Sequence, residues 1–282
     1  LACRARAQDG APLSVTRAGT FGRGPITESS GVAVSRRHAG ILWTHNDSND
    51  GPNLYAVTPR GELLATVRVV GARAVDWEDI ALGPCPTRWK GRTCLYIADT
   101  GDNREQRPRI VLYAVPEPDP RRESSAPLES EPALSLRVRF ADRAHDVEAL
   151  ALDSTGTAYL VTKGRSGPIL RYAVPADAWS ADSIVARTRD TLPIRPRAIL
   201  GRWVTGAAIS PSGTQAAVRT FTEVYLFRVA PDGRWVLRGA PCRVAGLEPQ
   251  GEAVDFLDEE RLVLTSEKGL SAEAPIHIVR CP

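Results

Sequence analysis

A short apolar segment that follows a polar or acidic residue recurs five times along this chain of 282 residues. The five segments, which we term the inner strands, are at 31–34, 79–82, 149–152, 206–209 and 253–256. A turn rich in Gly, Pro, Ser or Asp follows each one, and then a second and a third strand-like run. The second runs are at 41–44, 95–98, 158–162, 215–219 and 261–265, and the third at 54–57, 112–115, 171–174, 226–229 and 277–280. Runs rich in β-branched and aromatic residues between turn formers predict strands, and their repetition predicts a repeat architecture.

A fourth strand-like run follows four of the five units, at 62–70, 134–140, 183–189 and 235–238. The fifth unit reaches the end of the chain without one, whereas the N-terminal segment 12–21 is an unassigned strand. We expect this strand to complete the last unit, because an open array would leave a free strand edge. The pattern therefore predicts an all-β fold, a β-propeller of five four-stranded blades whose N-terminal strand closes the last blade.

A six-bladed ring is the alternative. The longest interval between units contains residues 117–132, which are rich in Pro, Glu and Ser. We interpret this segment as an exposed loop rather than a further blade, since it is short and polar. No linker divides the repeats, so we predict a single propeller domain over 12–282.

Residues 1–11 are predicted to be a residual export or anchor segment. Leu1-Ala2-Cys3 looks like the end of a bacterial lipoprotein signal, which makes Cys3 a lipidation candidate; the alternative is the remnant of an ordinary signal with Ala5-Arg6-Ala7 as cleavage site. No apolar run reaches the ~20 residues of a membrane-spanning helix. The expected location is periplasmic or secreted, with anchoring at the extracytoplasmic face of a membrane as an option.

The cysteines favour the same compartment. Cys85 and Cys94 bracket a short connection between two strands, a spacing that a disulfide can close. Cys3, Cys242 and Cys281 form an odd set, in which Cys281 pairs with either Cys242 or Cys3.

The predicted blade arrangement places many acidic residues at one face of the ring. The start of an inner strand and the end of the second strand lie at the same face of the ring, and residues two apart in an extended segment share a side. The carboxylates of four blades should therefore line one mouth of the channel, and the first blade contributes Glu28 and Asp47. The predicted metal ligands are Asp76, Glu78, Asp99, Asp102, Asp146, Glu148, Glu252 and Glu267. Packed carboxylates repel one another, and a hard cation such as Ca²⁺, which takes several oxygen ligands, lowers that cost.

The fourth blade differs, because it offers Trp203, Arg219 and Phe221 to the same mouth. With Lys163 and His45 these residues are the candidates for binding a ligand. A competing interpretation gives the acidic residues a structural role, since Asp and Glu at strand ends also accept main-chain N–H bonds in turns. A zinc site built on His45 and His145 is a further alternative, although no spaced His/Cys set marks one.

Other chemistry has little support. No serine lies in a nucleophile-elbow context, and no glycine loop is typical of phosphate binding. The net charge of +3 is small and gives no basic tract, which argues against nucleic acid as a partner. The expected partners are a protein or a small anionic ligand, with a membrane surface reached only through an anchor or a membrane-protein partner.

Several motifs carry a resemblance to a known class: VDWEDIA at 75–81, LYIADTGDN at 95–103, LYAVP at 112–116, GEAV at 251–254 and LTSE at 264–267. They resemble bacterial extracytoplasmic β-propeller proteins of the SdiA-regulated and esterase-like phytase type. The resemblance implies an exported propeller, in some cases calcium-binding, whose acidic mouth holds phosphate in the phytase-like members. The corresponding positions here would be Asp76, Glu78, Asp99, Asp102, Glu148, Glu252 and Glu267. Only Lys163 and Arg219 are evident as phosphate-holding cations, fewer than that activity requires.

These features favour a non-catalytic binding or scaffold module outside the cytoplasm, such as a peripheral subunit of a membrane-associated complex, with a calcium-capable acidic mouth. A calcium-dependent phosphoesterase is the alternative, in which metal ions would activate water and hold phosphate.

Overall fold

The computed structural model describes residues 13–22, 24–47, 50–122, 127–197 and 201–282, and nearly all of its regular structure is β-strand. Within these residues the strands form five sheets. The innermost strands of the sheets are β2 (Ser29–Val34), β6 (Trp77–Pro84), β11 (Val147–Leu152), β16 (Val204–Ile209) and β21 (Gln250–Phe256). Each innermost strand packs against those of the two neighbouring sheets. The sheets thus close into a ring around a central channel, and the predicted five-bladed β-propeller is confirmed.

Every blade continues outward through antiparallel strands. The second strands are β3 (Leu42–Asn46), β7 (Thr93–Asp99), β12 (Ala158–Thr162), β17 (Gln215–Thr220) and β22 (Leu262–Glu267). The third strands are β4 (Asn53–Val57), β8 (Ile110–Pro116), β13 (Leu170–Val174), β18 (Glu223–Val229) and β23 (Ala274–Arg280). The fourth strands are β5 (Leu63–Arg68), β10 (Leu134–Phe140), β15 (Thr188–Thr191), β19 (Trp235–Leu237) and β1 (Ser14–Phe21).

The N-terminal strand closes the ring as predicted. β1 runs antiparallel to β23, from the pair Ser14 and Arg280 to the pair Phe21 and Ala274. The first described strand and the last strand of the chain therefore lie in one sheet. This pairing covers an edge that would otherwise present unpaired N–H and C=O groups to other chains.

One expectation for the connecting segments was wrong. The run 183–189 is not one strand: β14 (Ser183–Ala186) pairs in parallel with β10 of the second blade, and only β15 joins the third. The described part of the connection 117–132 is mostly exposed, as expected, but it also contains β9 (Leu128–Glu129), which pairs in parallel with β5 of the first blade. Both short strands cover the outer edge of a neighbouring or preceding blade, a contact between blades that strand propensity does not reveal. The short β20 (Cys242–Arg243) adds to β18 in the same way.

Buried apolar side chains pack between the blades rather than in one central core. In the described chain they form five clusters, each of which combines residues from two adjacent blades. Trp43 and Trp77, for example, pack together between the first and second blades and are almost completely buried. The large side chains hold the blades to one another, so the channel can be lined by other residue types.

Two disulfides tie the surface of the ring. Cys85 pairs with Cys94, and Cys242 with Cys281, which decides between the two partners left open for Cys281. Cys3 and the rest of segment 1–11 lie outside the described residues, so lipidation and the export segment stay predictions. Among the described helices, both of them short 3-10 turns, none has the length and apolarity to cross a bilayer.

Candidate metal centre

Each innermost strand begins with a β-bulge, and the bulged residue contributes a side chain to the mouth of the channel. Register shifts fall between residues 29 and 31, 77 and 79, 147 and 149, 204 and 206, and 251 and 253. A bulge places one extra residue opposite the partner strand and re-aims its side chain. The extra residues are Ser30, Glu78, Glu148, Thr205 and Glu252, all buried. The recurring polar position seen in the sequence is therefore a conformational feature that every blade repeats.

Two of the five bulge side chains bind the next blade. The Ser30 hydroxyl donates to the main-chain oxygen of Glu78 at 2.8 Å, and the Thr205 hydroxyl donates to that of Glu252 at 2.7 Å. The other three bulge residues carry carboxylates, so acidic charge collects on the second, third and fifth blades.

Glu78 lies at the centre of the acidic mouth. Its carboxylate belongs to two groups of three, one with Asp47 and Asp76 and one with Asp146 and Glu148, and within each group the ligand atoms lie within 4.8 Å of one another. The residue is only 6% exposed. No hydrogen-bond donor from the described residues reaches its carboxylate oxygens. Gly101 makes room for them, since a Cβ at that position would lie 2.0 Å from the Glu78 Oε1.

This crowding disfavours the ionised forms. Burial, together with repulsion from Glu148, raises the pKa of Glu78 well above its ordinary value. Burial, with Asp47 nearby, raises the pKa of Asp76 to about 6. The outer group therefore combines the buried Glu78 with two half-buried carboxylates, and a cation bound among them would favour the ionised forms that this crowding disfavours.

The inner group contains a cation of its own. Lys163 Nζ lies 2.6 Å from Glu148 Oε1 and 4.0 Å from Asp146 Oδ2. Arg165 Nε approaches the same Asp146 oxygen at 3.2 Å. Burial raises the pKa of Glu148 to about 8, although Lys163 opposes the shift. Burial alone would lower the pKa of Lys163, but Glu148 outweighs it and the pKa is raised, so the ammonium stays charged.

A third acidic pair comes from the fifth blade. The Gln250 side-chain amide donates to Glu252 Oε1 at 3.0 Å and also to Glu267. Burial, with Glu267 nearby, raises the pKa of Glu252 well above its ordinary value. Burial, with Asp47 and Glu28 nearby, raises the pKa of Glu267 to about 7. The carboxylates of four blades, the first, second, third and fifth, thus influence one another across the mouth.

The donor set fits a hard cation. Every ligand atom in the two groups around Glu78 is a carboxylate oxygen, the type that Ca²⁺ and Mg²⁺ prefer. Zinc prefers nitrogen or sulfur. Neither candidate histidine belongs to these groups: the His145 Nε2 is held by Asp142 at 2.8 Å and by the Tyr172 hydroxyl at 2.7 Å, and the His45 Nδ1 lies 2.8 Å from the main-chain oxygen of Asn46.

Asp99 and Asp102 have the structural role that the sequence left open. Asp99 Oδ1 accepts the main-chain N–H of Asp76 at 3.2 Å and the Arg107 guanidinium at 2.9 Å. Asp102 Oδ2 accepts the main-chain N–H of Arg107 at 2.6 Å, and its own N–H donates to Asp146 Oδ1 at 2.9 Å. These carboxylates hold the loop after β7 and so position the residues beside them.

The candidate ligand-binding residues are brought together only in part. Arg219 is 0% exposed, donates to the main-chain oxygens of Ala253 and Thr265, and pairs with Glu248. It therefore binds the fifth blade inside the protein. Trp203 is half-buried beneath the Arg165 guanidinium, 4.6 Å from the ring centre. Phe221 is also half-buried and lies near Trp203 across the β16–β17 hairpin, because Val204 pairs with Thr220.

Sequence reasoning missed two acidic residues inside the channel. Asp79 is fully buried; its Oδ2 accepts the N–H of Leu150 at 2.8 Å and of Ala207 at 3.3 Å, and its Oδ1 accepts that of Ile80 at 2.8 Å. One carboxylate thereby joins the innermost strands of three blades. Asp255 accepts the N–H of Val34 at 2.7 Å. The available signal was an aspartate inside an otherwise apolar inner strand.

The opposite end of the channel is a separate space. It holds a cavity of about 250 Å³ lined by residues from the ends of the innermost strands, including Leu82, Leu152, Ile209 and Asp255. Its lining combines aliphatic side chains with polar and charged ones such as Arg36 and Asp153. This cavity does not include the acidic groups described above.

Comparisons with known proteins support the fold. No family model and no curated protein matches the chain. Among solved structures, the PQQ-bound aldose sugar dehydrogenase from Streptomyces coelicolor is similar at 11% identity and a TM-score of 0.56, over 96% of this chain and 99% of that one. A gluconolactonase from Xanthomonas campestris aligns at 15% identity and a TM-score of 0.47, over 96% of this chain and 90% of that one. The Cps50 (Swd1) β-propeller domain from Myceliophteria thermophila aligns at 13% identity and a TM-score of 0.45, over 94% and 99%. Of these three, only the dehydrogenase has a TM-score above 0.5, and at 11% identity that likeness concerns the fold alone.

Proposed function

We propose that this protein is a non-catalytic binding module whose acidic mouth binds a hard divalent cation, with Ca²⁺ as the favoured ion. One observation carries the proposal: the buried Glu78 carboxylate, which no described donor reaches, is shared by two groups of carboxylates. An ionised carboxylate buried without a partner is costly, and a metal ion bound by several oxygens removes that cost. Water and main-chain oxygens would supply the remaining ligands that Ca²⁺ needs.

Isothermal titration of the chelator-treated protein with CaCl₂ and with MgCl₂ tests this proposal. We expect saturable Ca²⁺ binding that Glu78→Gln abolishes, since the amide keeps the shape and removes the charge shared by both groups. Glu131→Gln is the matched control, because Glu131 is exposed and pairs with Arg92 away from the mouth. Absence of Ca²⁺ binding by the wild-type protein, or unchanged binding by Glu78→Gln, refutes it.

The proposed role of the module is to present the bound cation to an anionic group of a protein partner or a small ligand outside the cytoplasm. The two disulfides support an oxidising compartment, because such bonds are rare in the cytosol. Free-thiol labelling in denaturant of protein recovered from its native host tests the location, because the buried Cys94 and Cys242 would not react in the folded state even as free thiols. Cys85, Cys94, Cys242 and Cys281 should be unreactive before reduction. Labelling of these cysteines in native protein contradicts the extracytoplasmic assignment.

The alternative is a calcium-dependent phosphoesterase of the type implied by the phytase-like resemblance. Its support is the acidic mouth with Arg107 and Arg165 at the rim, partly exposed at 22% and 30% of their side chains. It is the weaker proposal, because the two cations expected to hold phosphate are engaged elsewhere: Lys163 with Glu148 and Arg219 with Glu248. Calcium-dependent release of phosphate from phytate or from a phosphodiester by the wild-type protein, lost in Glu78→Gln, would establish it in place of the non-catalytic role.

A further inference from the structure

The two carboxylate groups that share Glu78 differ in one respect. Lys163 places its ammonium against Glu148 and within 4.0 Å of Asp146, both members of the inner group. In the described chain, no Lys or Arg nitrogen comes within that distance of Asp76 or Glu78 in the outer group. The mouth therefore contains two adjoining cation positions of similar composition, one of which already holds a positive charge from the protein.

Main-chain hydrogen bonds on both sides of Lys163 fix the position from which its side chain extends. Lys163 directly follows β12; its N–H donates to the main-chain oxygen of Asp146 at 2.9 Å, and its own oxygen accepts the N–H of Val204 at 3.1 Å. The backbone is thus fixed between the third and fourth blades, and the side chain is only 12% exposed. A tethered ammonium competes with a free ion at a high effective concentration.

An ammonium and a divalent ion compete for the same group of carboxylates, because two positive charges so close together repel each other. Lys is a compact point charge with three donors, so it neutralises a carboxylate much as a monovalent ion would. Glu148 Oε1 lies at hydrogen-bond distance from Nζ and is not available as a metal ligand while that contact persists. Only the outer group is left for a divalent ion.

We propose that Lys163 is a built-in cation that fills the inner position formed by Glu78, Asp146 and Glu148, so that the mouth accepts one divalent ion although its carboxylates form two positions. The inference deepens the proposed function, because it concerns the same carboxylates and sets how many ions they take. Removing the ammonium converts the inner group into a second divalent-ion site.

Native mass spectrometry and calorimetric titration with CaCl₂ measure the number of bound ions. We expect one ion for the wild-type protein and two for Lys163→Met, which keeps the length of the side chain and removes its charge. Lys163→Arg, which keeps the charge, should bind one ion. Lys163→Met combined with Glu148→Gln should lose the second ion again. Circular dichroism without calcium shows whether each variant is folded, and Lys163→Gln replaces Lys163→Met if that variant does not fold.

The outcomes separate this inference from the proposed function. One ion in both the wild-type protein and the folded uncharged variant overturns the inference and keeps the function. No ion in the wild-type protein but one in Lys163→Met refutes the function and the predicted count of one ion, and it supports only the part of the inference in which Lys163 fills the inner position. Two ions in the wild-type protein, or none in any variant, overturns the inference.

Discussion

In the presence of a chelator, thermal stability should fall as the pH rises from about 6.5 to about 8. Glu148 causes part of this fall, because its pKa is about 8 in the folded protein against an ordinary value of 4.5. Between those values the folded state keeps a proton that the unfolded state releases, so unfolding becomes easier as pH increases. Glu78, Glu252 and Asp79, whose pKa values burial raises well above the ordinary range, act in the same direction.

The size of the effect follows from the proton difference. One carboxyl that is protonated only in the folded state costs about 1.36 kcal/mol of unfolding free energy per pH unit, hence about 2 kcal/mol over this interval. For a chain of this length that corresponds to a fall in Tm of roughly 4 °C. His45 has the opposite sign, since its pKa is lowered from 6.5 to about 4, and stability gains from it as pH rises to about 6.5. The measurement therefore begins above that pH.

Circular dichroism melts in EDTA and in excess CaCl₂ at several pH values across this interval provide the assay. Calcium should flatten the dependence on pH, because it stabilises the ionised carboxylates of the folded state; at 100 times its Kd it adds about 2.7 kcal/mol. Glu148→Gln in EDTA should show a shallower slope than the wild-type protein. A Tm in EDTA that is unchanged or higher at the upper pH refutes the reasoning.

Three further predictions concern the mouth, the channel and the ring closure. Gly101→Ala should weaken calcium binding at least ~10-fold, because its Cβ would displace the Glu78 carboxylate. Gly167→Ala is the control and should leave binding unchanged, since a Cβ there meets nothing within 4 Å. Equal calcium affinities of the two variants in titration would contradict this prediction. Asp79→Ala should lower the unfolding free energy by ~3 kcal/mol or more, since it leaves buried N–H groups without an acceptor; urea unfolding measures it, and a loss below ~1 kcal/mol would be inconsistent with that role. Deletion of β1 should lower Tm and promote association through the exposed edge of β23, and a deletion variant that remains monomeric and equally stable by gel filtration and melting would show that the strand is dispensable.

The blade pattern was predictable because local and global preferences agree in it. Each inner strand has an apolar core and a polar residue at a fixed offset, and the bulge explains why the offset repeats. The polar positions named from this register, Glu78, Glu148 and Glu252, are the buried bulge residues. A segment such as 183–189 could not be predicted in the same way, because two blades offer edges to it and the choice depends on tertiary packing.

The partners of charged side chains were the least predictable part of the site. Arg219 occupies the position on β17 expected to face the mouth, yet it turns toward the fifth blade, where Glu248 and two main-chain oxygens accept its donors. Gly251 permits that path, because a Cβ there would clash with the guanidinium. The local sequence around Arg219 reveals neither its distant partner Glu248 nor the space that Gly251 leaves for the guanidinium. The same holds for Asp79, whose three donors come from three different blades.

The five bulges also make the mouth adjustable by substitution. Because each bulged residue stands outside the ladder of paired residues, its identity can change without a change of strand register, and the chain already uses Ser, Glu, Glu, Thr and Glu in these places. The hydroxyls of Ser30 and Thr205 donate hydrogen bonds to the neighbouring blade, so substitution at those two positions would remove a contact between blades. The carboxylates of the three glutamates make no such hydrogen bond to a neighbouring blade among the described residues. A protein engineer could therefore vary the charge of this opening in unit steps at three positions while the ring itself is preserved.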